Sequence, residues 1–196
     1  MTSSRAERAA LARKEIRAYF YQVRGLWPGI EVPSLIVHQV RVGDLAGWQK
    51  EEIGLLVEQA REQLGRQRDD VEAVRQRAQF LFSTCLGALV LFGLALSQLA
   101  VSIGGFIVGV IAGLLVVGSL LGTAGVVVAR KELGIVDSAL LSQVDPPVLE
   151  TLARALARSV STGENTLATL ITVYRDAVFL LILGMVVFAG AFIVTL

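Results

Sequence analysis

Cysteine and histidine are almost absent from this chain, which has one of each, Cys85 and His38. A single cysteine cannot form a disulfide within the chain, and these two residues do not make a metal-ligand pattern. A phosphate-binding loop, an H-E-x-x-H sequence and a nucleophile close to a histidine are missing as well. The sequence therefore predicts a protein without a cofactor, a metal ion or a catalytic activity.

Charged side chains are missing from two long stretches. None occurs from Ala78 to Ala129, and none occurs from Ala177 to Leu196. A helix needs roughly 20 apolar residues to cross the ~30 Å hydrocarbon layer of a bilayer, so the first stretch suits two spans and a turn, and the second suits one. We predict transmembrane helices at about 79–99, 106–129 and 177–196. A mean hydropathy of +0.65 agrees with an integral membrane protein.

The uncharged spans also disfavour a carrier or a metal channel. Proton-coupled and ion-coupled carriers usually place acidic, basic or histidine side chains inside the membrane. The turn between the first two spans, near Ser102 to Gly105, has no carboxylate that could form a selectivity ring. The net charge of +1 argues against a nucleic-acid partner. Membrane lipid is the one partner that the composition requires.

Basic residues close to the span ends predict the orientation in the membrane. They are Arg75, Arg77, Arg130, Lys131 and Arg175. Lys and Arg in these places favour the cytoplasmic side. We expect a bacterial inner-membrane protein with a cytoplasmic N-terminus, a cytoplasmic helical segment over 130–176 and an external C-terminus. We also expect an uncleaved N-terminus, because the first 25 residues are charged and lack the apolar core of a signal peptide.

Residues 1–44 form a separate predicted cytoplasmic segment. Apolar residues among arginines predict a helix to about residue 25, which lies either on the protein surface or on anionic lipid. Trp27-Pro28-Gly29 and Pro33 interrupt the helical pattern. The residues from Ser34 to Val42 are rich in β-branched types, which predicts a short extended segment with His38 packed in its middle.

A long helix is predicted from about Leu45, capped by Asp44, into the first span, so that residues 45–129 form this helix and a membrane hairpin. Apolar residues in it follow alternating steps of four and three, the spacing of a coiled-coil seam. The seam residues are Ile53, Val57, Ala60, Leu64, Gln67, Val71, Val74 and Ala78, of which only Gln67 is polar. The seam packs either on helices of this chain or on another subunit, and the sequence leaves both alternatives open.

Glycine recurs every four residues in the second span. The glycines are Gly105, Gly109 and Gly113, followed by Gly118 and Gly122. In lipid, helices associate by close packing, which small residues allow. We attribute part of this pattern to packing of the hairpin on itself and the rest to contacts between subunits. The pattern therefore predicts a homo-oligomer.

Two helices are predicted after the hairpin. Asp145-Pro146-Pro147 is typical of a helix start, with a capping aspartate and proline in the first turn. Ser161-Thr162-Gly163-Glu164 has the form of a capping box, which predicts a second helix start. That second helix would continue from about Glu164 to Leu196 through the third span, beside the 45–99 helix.

The order of these elements resembles a known family. A heptad helix that enters the membrane at R-Q-R-A-Q-F-L-F-S-T (Arg75 to Thr84), a tight uncharged hairpin and a cytoplasmic helix resemble the SLATT-type two-span effectors of bacterial conflict systems. The resemblance covers residues 45–160. It implies an antiphage-defence oligomer that permeabilises the membrane when a nucleotide-dependent sensor is triggered, and it implies no particular functional residue. The third span and residues 1–44 exceed the two-span plan.

The sequence thus predicts an all-α integral membrane protein with three transmembrane helices, long cytoplasmic helical extensions and a short extended segment near 34–42. Our leading functional hypothesis is an oligomeric, non-catalytic protein whose cytoplasmic helices sense a partner and whose spans form or open a pore. The alternative is a structural or regulatory subunit that scaffolds a larger complex with a second membrane subunit.

Overall fold

The computed structural model describes residues 5–26, 45, 47–99, 103–128 and 148–195. These residues form four α-helices and contain no strand: α1 Arg5–Arg24, α2 Lys50–Leu99, α3 Ile103–Val128 and α4 Val148–Thr195. The predicted all-helical class is confirmed for this part of the chain. The extended segment predicted near 34–42, with His38, lies outside the described residues.

Three of the helices, α2, α3 and α4, are long and apolar enough to cross a membrane. This agrees with the three predicted spans. α2 has 50 residues and α4 has 48. Since a bilayer needs only roughly 20 residues of helix, each of these two helices is much longer than one span, and the excess in both is charged.

α2 begins at Lys50, later than the predicted start at Leu45. Gly47 has a φ of 108°, a conformation that glycine adopts far more easily than other residues. The Trp48 N–H donates to the Leu45 carbonyl at 3.1 Å, which closes a turn before the helix. The Gln49 N–H then donates to Glu52 Oε2 at 2.9 Å, so Glu52 reaches back from the first turn to cap the helix. The predicted cap, Asp44, lies outside the described residues.

α4 continues without a break through Ser161–Glu164, so the predicted second helix start is wrong. Thr162 Oγ1 donates to the carbonyl of Arg158, four residues earlier, at 3.0 Å. Glu164 Oε1 accepts a hydrogen bond from Gln63 Nε2 of α2 at 2.9 Å. Glu164 therefore does not reach back as a capping box requires, because its carboxylate bonds to α2. The predicted cap of the first helix, Asp145, lies outside the described residues, which resume at Val148.

The chain divides into two compact units. One comprises Met1–Pro33, Val74–Ala129 and Leu170–Leu196, and we call it the membrane unit because it contains the uncharged stretches. The other comprises Ser34–Ala73 and Arg130–Thr169, and we call it the polar unit. α2 and α4 contribute residues to both units.

Each unit has its own apolar core. In the polar unit, Ile53, Val57 and Ala60 of α2 pack with Ala153 and Leu156 of α4, and Leu45 closes one end. In the membrane unit, the core residues are Leu81, Cys85 and Ala88 of α2, Val116 of α3, and Ala177 and Leu181 of α4. Phe92 and Phe188 extend the second core, with their rings stacked at a centroid distance of 3.8 Å and an interplanar angle of 7°. α2 and α4 are therefore neighbours within each unit.

Candidate functional site

The seam of α2 lies against α4 of the same chain in the polar unit. Ile53 and Val57 are buried in the core that Ala153 and Leu156 complete, and Leu64 packs beside it. Val71 and Val74 are also buried. Of the two partners that the sequence left open for the seam, this chain's own helix is the one that covers its first half.

Gln67 is the polar member of the seam, and only 5% of it is exposed. Its Nε2 donates to the Val160 carbonyl of α4 at 3.1 Å. This contact defines the amide orientation, because a carbonyl can only accept. Gln67 Oε1 has no hydrogen-bond partner among the described residues. A buried acceptor without a partner costs about 1–3 kcal/mol. Gln67 therefore links α2 to α4 through one hydrogen bond while its other polar atom destabilises the fold.

Ser119 joins all three spanning helices at the centre of the membrane unit. Its Oγ donates to the Ala177 carbonyl of α4 at 2.7 Å and lies 3.3 Å from Cys85 Sγ of α2. A serine hydroxyl has one proton. Because that proton is used on Ala177, the Cys85 thiol is the donor in the second contact. Cys85, Ser119 and Ala177 are completely buried, so this short polar chain lies inside the packed core.

Tyr19 of α1 fits into a recess on α3. Its hydroxyl donates to the Gly118 carbonyl. A Cβ at position 122 would lie 2.5 Å from Tyr19 Oη, closer than atoms can approach without displacement. Gly122 is therefore the residue that lets the tyrosine ring approach the α3 backbone. Burial raises the pKa of Tyr19 to about 12, with a smaller contribution from the negative charge of Asp176, so the hydroxyl keeps its proton and remains a donor.

Gln22 makes the second contact between α1 and α3. Only 1% of it is exposed, and its Nε2 donates to the Gly125 carbonyl at 2.8 Å. A Cβ at position 125 would lie 3.0 Å from Gln22 Cγ. Tyr19 and Gln22 thus occupy successive turns of α1 and face glycines on successive turns of α3. Sequence reasoning missed both residues.

Glu15 ties α1 to the start of the third span. Its carboxylate lies 2.9 Å from Arg175 of α4, and Arg175 also lies 3.4 Å from Asp176. The pairing with Glu15 raises the pKa of Arg175, whereas burial raises the pKa of Asp176 despite the neighbouring guanidinium. The Arg175 side chain is largely exposed, so this pair contributes roughly 0–1 kcal/mol. Its consequence is positional, because α1 is held by α3 and by α4.

The predicted glycine face divides among several environments. Gly105 and Gly109 are buried. A Cβ added at Gly118 would lie 3.5 Å from Leu180 Cδ1 of α4, which is an ordinary contact distance. A Cβ at Gly113 would have no atom within 4 Å. The glycines near Ser119 therefore accommodate α1 and α4, whereas Gly113 leaves an unfilled notch on the chain surface.

A further close approach, which the sequence pattern did not indicate, occurs at Gly184 of α4. A Cβ there would lie 2.9 Å from Val116 Cγ2 and 3.1 Å from the Ala112 carbonyl of α3. The sequence around a single glycine in an apolar helix does not show which residues of another helix pack against it.

The predicted topology residues lie at several levels of exposure. Arg77 and Arg175 are exposed, whereas Arg75 is partly buried. Arg130 and Lys131 lie outside the described residues. Among the residues that the structure describes, no group of three His, Cys, Asp or Glu side chains could hold a metal ion.

The outer surface of the membrane unit is apolar. Exposed side chains occur on all three spanning helices, among them Leu91 and Leu94 of α2, Ile107 and Leu114 of α3, and Phe179 and Val186 of α4. Such a surface requires lipid or other apolar helices as its surroundings.

Comparison with known proteins gives no match to a family model, to a curated protein or to a solved structure.

Proposed function

We propose that this protein is an oligomeric, non-catalytic membrane protein that forms or opens a pore under the control of its polar unit. The observation that carries this proposal is the closed centre of the membrane unit. Cys85, Val116, Ser119 and Ala177 are completely buried where the spanning helices meet. The described parts of these three helices leave no room for a path between them, so we infer that a conducting path would form between copies.

The exposed face of α3 favours such an assembly. Val110, Leu114 and Val117 are exposed on it, and Gly113 lies among them with empty space above its Cα. A neighbouring helix can approach closely at such a notch, and close packing is what drives helix association in lipid. The apolar path that results would gate by dewetting and would need no charged filter.

Control through the polar unit is favoured by the length of α2 and α4. Both helices are continuous from that unit into the membrane unit, so a partner that rotates or tilts their charged ends acts on the spans. A groove of about 400 Å³ in the polar unit, lined by Trp48, Glu52, Leu55, Leu56 and Gln59, offers a surface for a cytoplasmic sensor protein. A defence role against phage would follow if the activating partner responds to infection.

Dye release from liposomes tests the proposal. Purified protein is reconstituted at increasing protein-to-lipid ratio, because leak through an oligomer rises more steeply than in proportion to protein. Gly113→Leu should reduce both the leak and the oligomer size by filling the notch. Gly190→Leu is the matched control, since Gly190 of α4 also has open space around it and lies on a different helix. An unchanged leak in folded Gly113→Leu would contradict assembly through this face.

The alternative function is a structural or regulatory subunit that scaffolds a larger membrane complex. The same groove favours it, because Trp48 and Leu55 are exposed apolar side chains in a charged segment. Two results together would favour the scaffold function over the pore function. Liposomes would release no dye at any protein-to-lipid ratio, and the protein would form a complex of defined stoichiometry with a second membrane protein.

We propose a cytoplasmic N-terminus and an external C-terminus in a bacterial inner membrane. Arg75 and Arg77 before the first span, and Arg130 and Lys131 after the second, support this orientation. After replacement of Cys85, single cysteines are introduced at Ser102 and at Ser138. In whole cells, an impermeant thiol reagent should label position 102 and leave position 138 unlabelled. The opposite labelling would reverse the topology.

A further inference from the structure

Over residues 13–24, α1 has one face packed on the protein and an opposite face of exposed side chains. The packed face consists of Glu15, Ala18, Tyr19 and Gln22, which recur at helical spacing. On the opposite side of the helix, at 100° per residue, lie Arg13, Arg17, Phe20 and Arg24. All four are exposed. The amino-acid composition of this outward face indicates which kind of partner lies against it.

The contacts of α1 place it at the edge of the hydrocarbon layer. Tyr19 packs against the core that includes Leu81 and Ala177, which lie within the first turn of the uncharged runs beginning at Ala78 and Ala177. Tyr19 contacts α3 at Gly118 and Gly122. Glu15 pairs with Arg175, which closely precedes the uncharged run that begins at Ala177. Two independent contacts thus place α1 at the level of the lipid headgroups.

From residue 13 onward, the charges on the outward side of α1 have one sign. Arg13, Lys14, Arg17 and Arg24 are exposed, and the nearby acid, Glu15, is engaged by Arg175. A lipid leaflet that contains anionic phospholipid presents the complementary charge at this level. A second copy of α1 would present the same positive charge and would be repelled.

Apolar side chains accompany these cations. Phe20 is 69% exposed and Ile16 is 56% exposed, and Tyr21 is exposed as well. Ile16 and Phe20 are four residues apart and therefore neighbours on the helix surface. At a bilayer surface they enter the boundary between headgroups and acyl chains, while the long arginine side chains reach the phosphates. The combination of aromatic, aliphatic and basic residues therefore fits lipid better than a soluble partner.

We propose that the outward face of α1 binds the anionic headgroups of phospholipids in the adjoining leaflet, with Arg13, Arg17 and Arg24 on the phosphates and Ile16 and Phe20 in the acyl boundary. Because α1 is also bound to α3 and α4, this interaction makes the arrangement of the spans sensitive to lipid charge. The proposal requires insertion in a membrane and does not require that the protein conduct.

Fluorescence of a labelled full-length protein tests the inference. Tyr21→Cys, in a Cys85→Ala background, carries an environment-sensitive dye. The protein is reconstituted in vesicles of phosphatidylcholine alone and of phosphatidylcholine with phosphatidylglycerol. We expect a blue-shifted emission and stronger quenching by brominated phospholipid in the anionic vesicles, and a return toward the values in neutral vesicles at high salt, which screens surface charges.

Paired charge variants define the residues responsible. Arg13→Gln with Arg17→Gln should abolish most of the difference between the two vesicle types. Arg61→Gln with Arg68→Gln is the control, because these arginines are exposed on α2 in the polar unit. The control should keep the full difference.

Several outcomes would overturn the proposal. Emission that is the same in both vesicle types, for the dye at position 21 and for a second label at Ile16→Cys, would mean that the outward face meets water. Energy transfer between labelled copies that survives dilution into excess lipid would assign the face to a second copy. Quenching that is unaffected by the Arg13 and Arg17 variants would remove the arginines from the interaction. Each readout is independent of dye leak, so failure here is distinguishable from failure of the pore.

Discussion

The ring of Tyr19 occupies the space that a side chain at position 122 would need. Its hydroxyl also bonds to the carbonyl of Gly118, one turn earlier on α3. Two glycines that the sequence associated with membrane packing therefore receive an aromatic side chain from the N-terminal helix. This contact connects α1 to a span, and it determines how substitutions on either side should behave.

Gly122→Ala should destabilise the membrane unit, because the added methyl group displaces Tyr19 and weakens its bond to Gly118. Overpacking of this kind typically costs about 1–3 kcal/mol. Gly113→Ala is the matched control. It meets no atom within 4 Å and replaces glycine in a helix, which favours the folded state by up to about 1 kcal/mol. Thermal unfolding in detergent, followed by circular dichroism, measures both. Equal melting temperatures for the two variants would mean that Tyr19 does not pack on position 122.

The ionisation of Tyr19 should be separable from that of the other tyrosines. Burial raises its pKa from 10.0 to about 12, so the difference in tyrosinate absorbance between the parent and Tyr19→Phe should titrate near pH 12. The linkage follows from the sign of this shift. The folded state holds the proton more tightly, so the contribution of Tyr19 to stability is complete below pH 10 and is lost as the pH rises through about 12. A difference spectrum that titrates near pH 10 would place the Tyr19 hydroxyl in water.

The presence of three helices long and apolar enough to cross a membrane was predictable, because long uncharged runs have few alternative structures in a protein of this composition. The periodicity of α2 likewise identified a buried face through Ile53, Val57 and Ala60. It could not name the partner, since an apolar stripe packs equally well on a helix of the same chain or of another. The structure supplies α4 for the first half of that stripe.

Two local predictions failed for a common physical reason. The sequence Ser161 to Glu164 matches a capping box, but Glu164 bonds to Gln63 of α2, and that partner lies far away in sequence. α2 begins at Lys50 and not at the predicted Leu45, and in its first turn Glu52 accepts a hydrogen bond from the Gln49 N–H. Polar residues serve several purposes, and a local pattern does not show which one tertiary packing selects.

The contacts of α1 were beyond prediction from one sequence. Tyr19 and Gly118 are 99 positions apart, and Gln22 and Gly125 are 103 apart. The pairing is visible afterwards as two residues three apart on α1 facing small residues on α3. From the sequence, Gly118 was attributed to packing of the hairpin on itself or to contacts between subunits, and Gly125 was not singled out.

Gln67→Leu should stabilise the polar unit or leave its stability unchanged. The substitution removes the unpaired Oε1 at a cost of one hydrogen bond to the Val160 carbonyl, and a leucine suits the apolar seam. Gln67→Ala is the control, because it removes the same polar atoms and leaves a cavity, which should cost about 2 kcal/mol or more. Chemical denaturation followed by the fluorescence of Trp48, in a Trp27→Phe background, measures both. If Gln67→Leu is as destabilising as Gln67→Ala, the glutamine has an essential polar partner.

Ser119→Ala should loosen the junction of the three spanning helices. The substitution removes the bond to the Ala177 carbonyl and leaves the Cys85 thiol without its acceptor. Side-chain hydrogen bonds between membrane helices contribute on average about 0.6 kcal/mol, with a maximum near 1.7, so a decrease of about 1 kcal/mol is expected. Ser83→Ala is the matched control, because the Ser83 hydroxyl is exposed and bonds to the carbonyl of Gln79 on its own helix.

Reaction of Cys85 with a membrane-permeant thiol reagent gives a second measurement. It should be faster in Ser119→Ala than in Ser83→Ala, because opening of the junction is what exposes a thiol that is otherwise completely buried. Identical rates and identical melting temperatures would show that apolar packing alone holds the three helices together.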